Sequence, residues 1–143
     1  MRQSDRRVTM SVEENKAIVR RFFEEGWNGQ NPDRFDELMD ERYAAFEREW
    51  SAEVWAAYAD SHFELPEMIA EGDKVVTRVV WTGLHTGPFW GAAPTGKTIT
   101  VNGMFIHRVV DGRIQWDGRF PMIDLLSWQQ QLGLVVSSAP PPP

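Results

Sequence analysis

Cysteine is absent from this chain of 143 residues, which excludes disulfides, thiol nucleophiles and thiolate metal sites. Positive charge is also scarce: 15 Lys and Arg against 21 Asp and Glu leave a formal net charge of −6. Apart from Arg2, Arg6 and Arg7 no basic cluster occurs, so neither nucleic acid nor an anionic membrane surface is expected as a partner. No apolar run approaches the ~20 residues of a membrane span. The opening stretch MRQSDRRVTM has arginines but no apolar segment behind them, so no secretory leader is expected and a cytoplasmic location is the default. The three histidines, His62, His85 and His107, show no His-x-x-x-His spacing and no adjoining carboxylate pattern, which argues against a zinc site. A phosphate-cradling glycine loop, a serine nucleophile elbow and a nicotinamide fingerprint are all missing, and no cofactor is expected.

Aromatic rings are what the chain has in excess. Seven Trp and eight Phe stand beside only two Tyr. Trp seldom buries completely and tends to line cavities and interfaces, so this composition points to a pocket as well as a core. The length fits one domain with a sizeable core.

Ser11 followed by Glu14 is a capping-box pattern, and Ile18, Val19, Phe22 and Phe23 then recur at helical spacing. The first helix is expected to end between Gly26 and Gly29, and Asn31-Pro32-Asp33 to open a short second one carrying Phe35, Leu38 and Met39. Trp50, Val54, Trp55, Tyr58 and Ala59 predict a third helix over 47–62. Beyond residue 65 the period shortens: a hairpin turns at Glu71-Gly72-Asp73, strands follow over 74–82 and 97–110, and Asp111-Gly112 leads into a strand over 113–123. Helical character returns over 124–132 and stops at Gly133. Residues 1–11 read as a disordered tail, 12–134 as the domain and 135–143 as a proline-rich tail. Helices first and an antiparallel sheet after them give an α+β class, with a curved sheet closing on the helices as a cone around an apolar cavity.

Several segments together resemble the SnoaL-like polyketide cyclases of the NTF2-like superfamily. Asn15-Lys16-Ala17-Ile18-Val19-Arg20-Arg21-Phe22-Phe23, with Trp27-Asn28, is similar to that family's opening helix. Ala70 to Val76 followed by Arg78 resembles its first hairpin. Gly83-Leu84-His85-Thr86-Gly87 and Pro94-Thr95-Gly96-Lys97 resemble the loop joining its middle strands. Asp111-Gly112-Arg113-Ile114 and Gln130-Gln131-Leu132-Gly133 look like its last turn and final helix. The resemblance runs from about 13 to 134. Phe46 stands where many relatives carry a histidine, which makes the expected pocket more apolar. The stretch from Ile114 to Asp124 is about two residues longer than the family pattern, and a bulge near Asp117-Gly118 is expected.

Counting back from Gln130-Gln131-Leu132-Gly133, the resemblance implies that Asp124 is the acid/base carboxylate of the family's cyclases. Its neighbours Met122, Ile123, Leu125 and Leu126 are apolar, and burial among them raises a carboxylate pKa toward the range useful for proton transfer. The same position also fits an N-cap of the last helix. His107 shares strand parity with Phe105 and can assist by polarising a carbonyl; otherwise it is a strand histidine paired with backbone or Asp. His85 reads as structural and His62 as a helix-end residue. Arg78, Asp117 and Arg119 read as a solvated ion-pair network, the alternative being that they reach the pocket mouth. Trp27, Tyr43, Phe46, Trp50, Trp55, Trp81, Phe105 and Phe120 are the expected substrate-binding residues, and Phe89-Trp90-Gly91 reads as a flap or an interface anchor.

The function expected is cofactor-independent ring closure of a hydrophobic polyketide intermediate, by aldol, pyran-forming or cycloaddition chemistry. The alternatives are an epoxide hydrolase or isomerase, and a binding module without catalysis. Apolar residues at both parities (Val79 and Val80, Phe105 and Ile106, Val109 and Val110) predict a covered outer sheet face, hence a homodimer with Met104 or Ile106 near its centre.

Overall fold

The computed structural model describes residues 10–118 and 120–135. Most of both expected tails, and Arg119, lie outside the described residues.

Helix α1 (Val12–Arg21) begins as the sequence predicts: the Ser11 side chain accepts from Glu14 N and the Glu14 carboxylate accepts from Ser11 N. It runs directly into a π-helical segment, Phe22–Asn28. The wider turn brings Phe22, Phe23, Gly26 and Trp27 all to the buried side. Asn28 then clamps the segment to the sheet: Nδ2 donates to the Phe63 carbonyl at 2.9 Å and Oδ1 accepts from Phe63 N at 2.7 Å. Helix α2 (Asp33–Leu38) buries Phe35 and Leu38.

Helix α3 covers Glu41–Ala57, six residues earlier at its start and five earlier at its end than the predicted 47–62. The missed signal is Asp40, which accepts from Tyr43 N at 2.9 Å as N-cap and also takes the Trp116 N–H, tying the helix start to the sheet. His62 is accordingly an exposed strand residue facing Thr82, not a helix end.

The sheet is antiparallel in the order β1 (Tyr58–Glu71), β2 (Lys74–His85), β3 (Thr98–Val110), β4 (Arg113–Gln115), with β5 (Met122–Ile123) also pairing β3. Register shifts between Ala59 and His62, and between Glu64 and Glu67, let the long first strand bend around the helices. At the Asp111-Gly112 turn both residues have positive φ, 50° and 77°, the mirror-image turn that matches strand twist. The strand predicted over 113–123 is instead two short pieces, separated by residues 116–121 with Gly118 at φ 81°. Both pieces still pair β3, at Arg108–Val110 and at Gly103–Met104. Gly103 permits the second pairing, since a Cβ there would lie 2.9 Å from Ile123 Cγ2. Helix α4 (Leu125–Gln131) closes the described chain, with Gly133 at φ 77° just beyond it.

Strand parity resolves the apolar doublets. Val79, Phe105 and Val109 point inward, while Val80, Ile106 and Val110 lie on the outer face. The core joins α1, the π segment and α2 to the inward residues Val75, Val79, Ile99, Val109 and Ile114. Among the described residues no helix is long and apolar enough to cross a membrane.

Candidate functional site

Beyond that packed end the helices and sheet diverge, leaving an open cavity of about 360 Å³. Helix α3 supplies one wall with Tyr43, Phe46, Glu47, Trp50 and Val54, residues at successive helical intervals. The sheet supplies the opposite wall with Phe63, Val79, Trp81, Val101, Gly103 and Phe105, and Trp27 of the π segment contributes to the lining. Trp116, Phe120, Pro121, Ile123, Leu125 and Trp128 complete it. Phe46, Phe120 and Leu125 line the cavity yet are 41%, 68% and 44% exposed, so they mark its mouth.

Two indole N–H groups of the walls are satisfied by buried hydroxyls. Trp81 Nε1 donates to Ser61 Oγ and Trp128 Nε1 to the Tyr58 hydroxyl, each at 2.9 Å. Their ring faces are thereby left as apolar surface. Phe89 is buried and stacks on Trp128 at 5.4 Å and 13°, with Trp90 at 4.5 Å from the same indole. The segment expected as a flap is therefore packed against the cavity wall.

Glu47 is the polar exception. It is 4% exposed, and its Oε2 accepts from Trp27 Nε1 at 3.1 Å. Burial pushes its pKa up to about 8, although the indole hydrogen bond pulls the other way. Tyr43, one turn before it, has its phenol pushed up by burial and further by the charges of Glu47, Asp117 and Asp40. Sequence reading missed Glu47, yet the signal was present: a carboxylate inside the Tyr43, Trp50, Val54 stripe faces whatever those rings face.

Seven expected binding residues, Trp27, Tyr43, Phe46, Trp50, Trp81, Phe105 and Phe120, line the cavity. Trp55 does not: its ring lies behind the wall, stacked 6.5 Å from Phe35 and edge-on to Trp27 at 5.7 Å.

Neither expected acid/base residue lines the cavity. Asp124 is exposed, and its side chain accepts from Ser127 N at 3.0 Å as the N-cap of α4. The desolvation expected from its apolar neighbours is missing because Met122, Leu125 and Leu126 are themselves exposed. His107 does share the inward face with Phe105, but it sits under the π segment, 1% exposed among Phe22, Phe23, Phe105 and Tyr43. Neither ring nitrogen has a hydrogen-bond partner among the described residues. Burial pushes its pKa down to about 4 despite the opposing charge of Asp117, so it is a neutral core residue at pH 7. His85 is structural, as expected: its Nδ1 accepts from Thr95 N at 3.0 Å and holds the loop between β2 and β3. Arg78 pairs with Glu67 at 3.4 Å on exposed surface. Among the described residues no group of His, Asp or Glu is arranged to hold a metal ion.

The sequence model of the SnoaL-like polyketide cyclase family matches residues 17–132. No curated protein matches the chain. Among solved structures it is similar to TsrD from Streptomyces laurentii, at 24% identity and TM-score 0.77, over 88% of this chain and 99% of that one. It is also similar to AclR from Streptomyces galilaeus, a candidate hydroxylase, at 22% identity and TM-score 0.78, over 89% of each chain. A SnoaL-like polyketide cyclase from Agrobacterium tumefaciens aligns at 15% identity and TM-score 0.69, over 87% of this chain and all of its own. At these identities the structural likeness establishes the cone fold.

Proposed function

Since the chain belongs to the SnoaL-like polyketide cyclase family, we propose that it closes a ring in a hydrophobic polyketide intermediate, without a cofactor, by folding that intermediate inside the aromatic cavity. The observation that carries this reading is the cavity itself: about 360 Å³, open at one end, walled by rings, with Glu47 as its one carboxylate among the described residues. A volume of this size is in the range of small-molecule sites, ~300–1,000 Å³. Flat walls such as Trp50 and Trp81 stack on conjugated or polyketone segments. Confinement of a flexible chain brings its two reacting carbons together, a contribution of up to ~7–11 kcal/mol in well-oriented cases. Hydrolysis of an epoxide calls for several polar groups around a water, and among the described residues Glu47 and Tyr43 are the only titratable side chains on these walls. We also propose that the protein works as a homodimer through the outer face of its sheet.

Binding of a planar hydroxyanthraquinone, followed by tryptophan fluorescence, tests the cavity. Trp50→Ala or Trp81→Ala should weaken it by ~1–3 kcal/mol. A fall in Tm with unchanged affinity would make these rings core and remove the binding reading.

A further inference from the structure

A carboxylate in an apolar wall has to be accounted for. Charged, and with no cation to pair with, it is among the most costly groups a protein can bury. Glu47 meets that description: it is 4% exposed, and no salt bridge among the described residues includes it. Among the described residues the rest of the cavity lining is aromatic, aliphatic, glycine or proline, and Tyr43 on the same helix is the one other titratable side chain in it. Three supports hold the carboxyl in place. Its helix is fixed at the start by Asp40. Its Oε2 takes the Trp27 indole N–H at 3.1 Å. Trp27 is itself locked by Phe35, Trp55 and Phe63, at ring distances of 6.2, 5.7 and 5.4 Å. A packing role needs no carboxyl, and a rigidly held acid on the wall of a ligand cavity is arranged for proton transfer.

We propose that Glu47 is the catalytic acid of this cavity, giving its proton to a substrate carbonyl oxygen during ring closure, with Trp27 as its positioning residue. The inference rests on the cyclase reading above and names the group that performs it. In an aldol closure the C=C pair of an enol forms the new C–C bond at the acceptor carbonyl carbon. That carbonyl's π pair moves to its oxygen, which takes the Glu47 proton and becomes a hydroxyl. The enol O–H releases its proton as its own C=O forms, and the Glu47 carboxylate takes it, so the acid is restored. No oxidant, reductant or second reactant enters. Because the protonated form is the working one, and burial holds it to about pH 8, the reaction runs at neutral pH and fails in alkali.

The test uses a phenyl-capped linear tetraketone, an enol-rich chain whose aldol closure, followed by loss of the new hydroxyl as water and enolisation, gives a dihydroxybenzophenone, together with the hydroxyanthraquinone as binding probe. The unmodified protein should accelerate closure, with a rate that falls as pH rises through about 8. Glu47→Gln should lower kcat by ~10²–10⁴-fold and keep affinity for the anthraquinone within about threefold. Trp27→Phe removes the N–H that favours the ionised form, so it should move the alkaline limb to still higher pH, which a purely structural role would not do. Acceleration retained by Glu47→Gln overturns this proposal alone. Unmodified protein that leaves the tetraketone at its spontaneous rate overturns it together with the cyclase reading. Should the glutamine variant fail to fold, the unmodified protein's pH profile decides: no loss of rate between pH 7 and roughly 9 rejects Glu47 as the acid.

Discussion

Tyr43 has a buried imidazole beside it and a buried carboxyl one turn along, and both are neutral at pH 7 for the same reason, desolvation. Their effects on stability run in opposite directions. Glu47 is raised from 4.5 to about 8 on folding, so the folded chain binds more protons than the unfolded one within that window, and its contribution is lost as pH rises. His107 is lowered from 6.5 to about 4, so its contribution is lost as pH falls from 6.5. Between 4.5 and 6.5 the two slopes cancel; above 6.5 the carboxyl acts alone. Stability measured by urea unfolding should therefore be level across pH 5–6 and decline from 6.5 to 8. In Glu47→Gln the alkaline decline should vanish and leave a rise from pH 4 to 6.5 due to His107. A glutamine variant with an unaltered alkaline slope would mean that Glu47 ionises normally.

At the level of elements, helix ends and strand breaks decide what reaches the cavity. The last strand is interrupted between Gln115 and Met122, and this break turns Phe120 to the mouth and leaves Asp124 in solvent at the head of α4. Asp124 there caps the helix and lies outside the cavity lining. Asp124→Ala should cost ~1 kcal/mol as a lost N-cap, whereas Asp124→Asn, an equally good cap, should leave both Tm and turnover near their original values. Thermal melts and the tetraketone assay check both; a large loss of turnover in Asp124→Asn would return it to the site.

For the whole molecule, the open question is what covers the outer sheet face. Register places Ile69, Val76 and Ile106 in one cross-strand row and Met122 beside Met104 in the next. Ile69 is 58% exposed, Met104 41%, Ile106 37% and Met122 74%. A contiguous apolar patch of this kind is costly in water and is characteristic of an interface. Two copies packed back to back about a two-fold axis bury it against itself. Light scattering at micromolar concentration should report a dimer, and Ile106→Asp should give a monomer of reduced stability. A monomeric mass for the unmodified protein would refute this assembly.

Local chemistry determined much of this protein in advance. The Ser11–Glu14 capping box, the Asp111-Gly112 turn and the ring-rich composition are properties of short segments, and each one carried through to the fold, whereas the change from helix to strand comes at Tyr58, earlier than the period suggested. The cavity's ring walls were legible for the same reason, because Trp27, Trp50 and Trp81 declare themselves by type. Burial of a polar side chain is different, since it depends on which faces meet across the molecule. Glu47 became the cavity's carboxyl only when α3 was laid against the sheet with the Tyr43–Trp50 stripe inward. His107 became core only because the π segment covers its end of β3. Asp124, with apolar neighbours in sequence, stayed in water because the broken last strand carried those neighbours to the surface with it. Sequence set which groups were available, and tertiary packing chose which of them was desolvated.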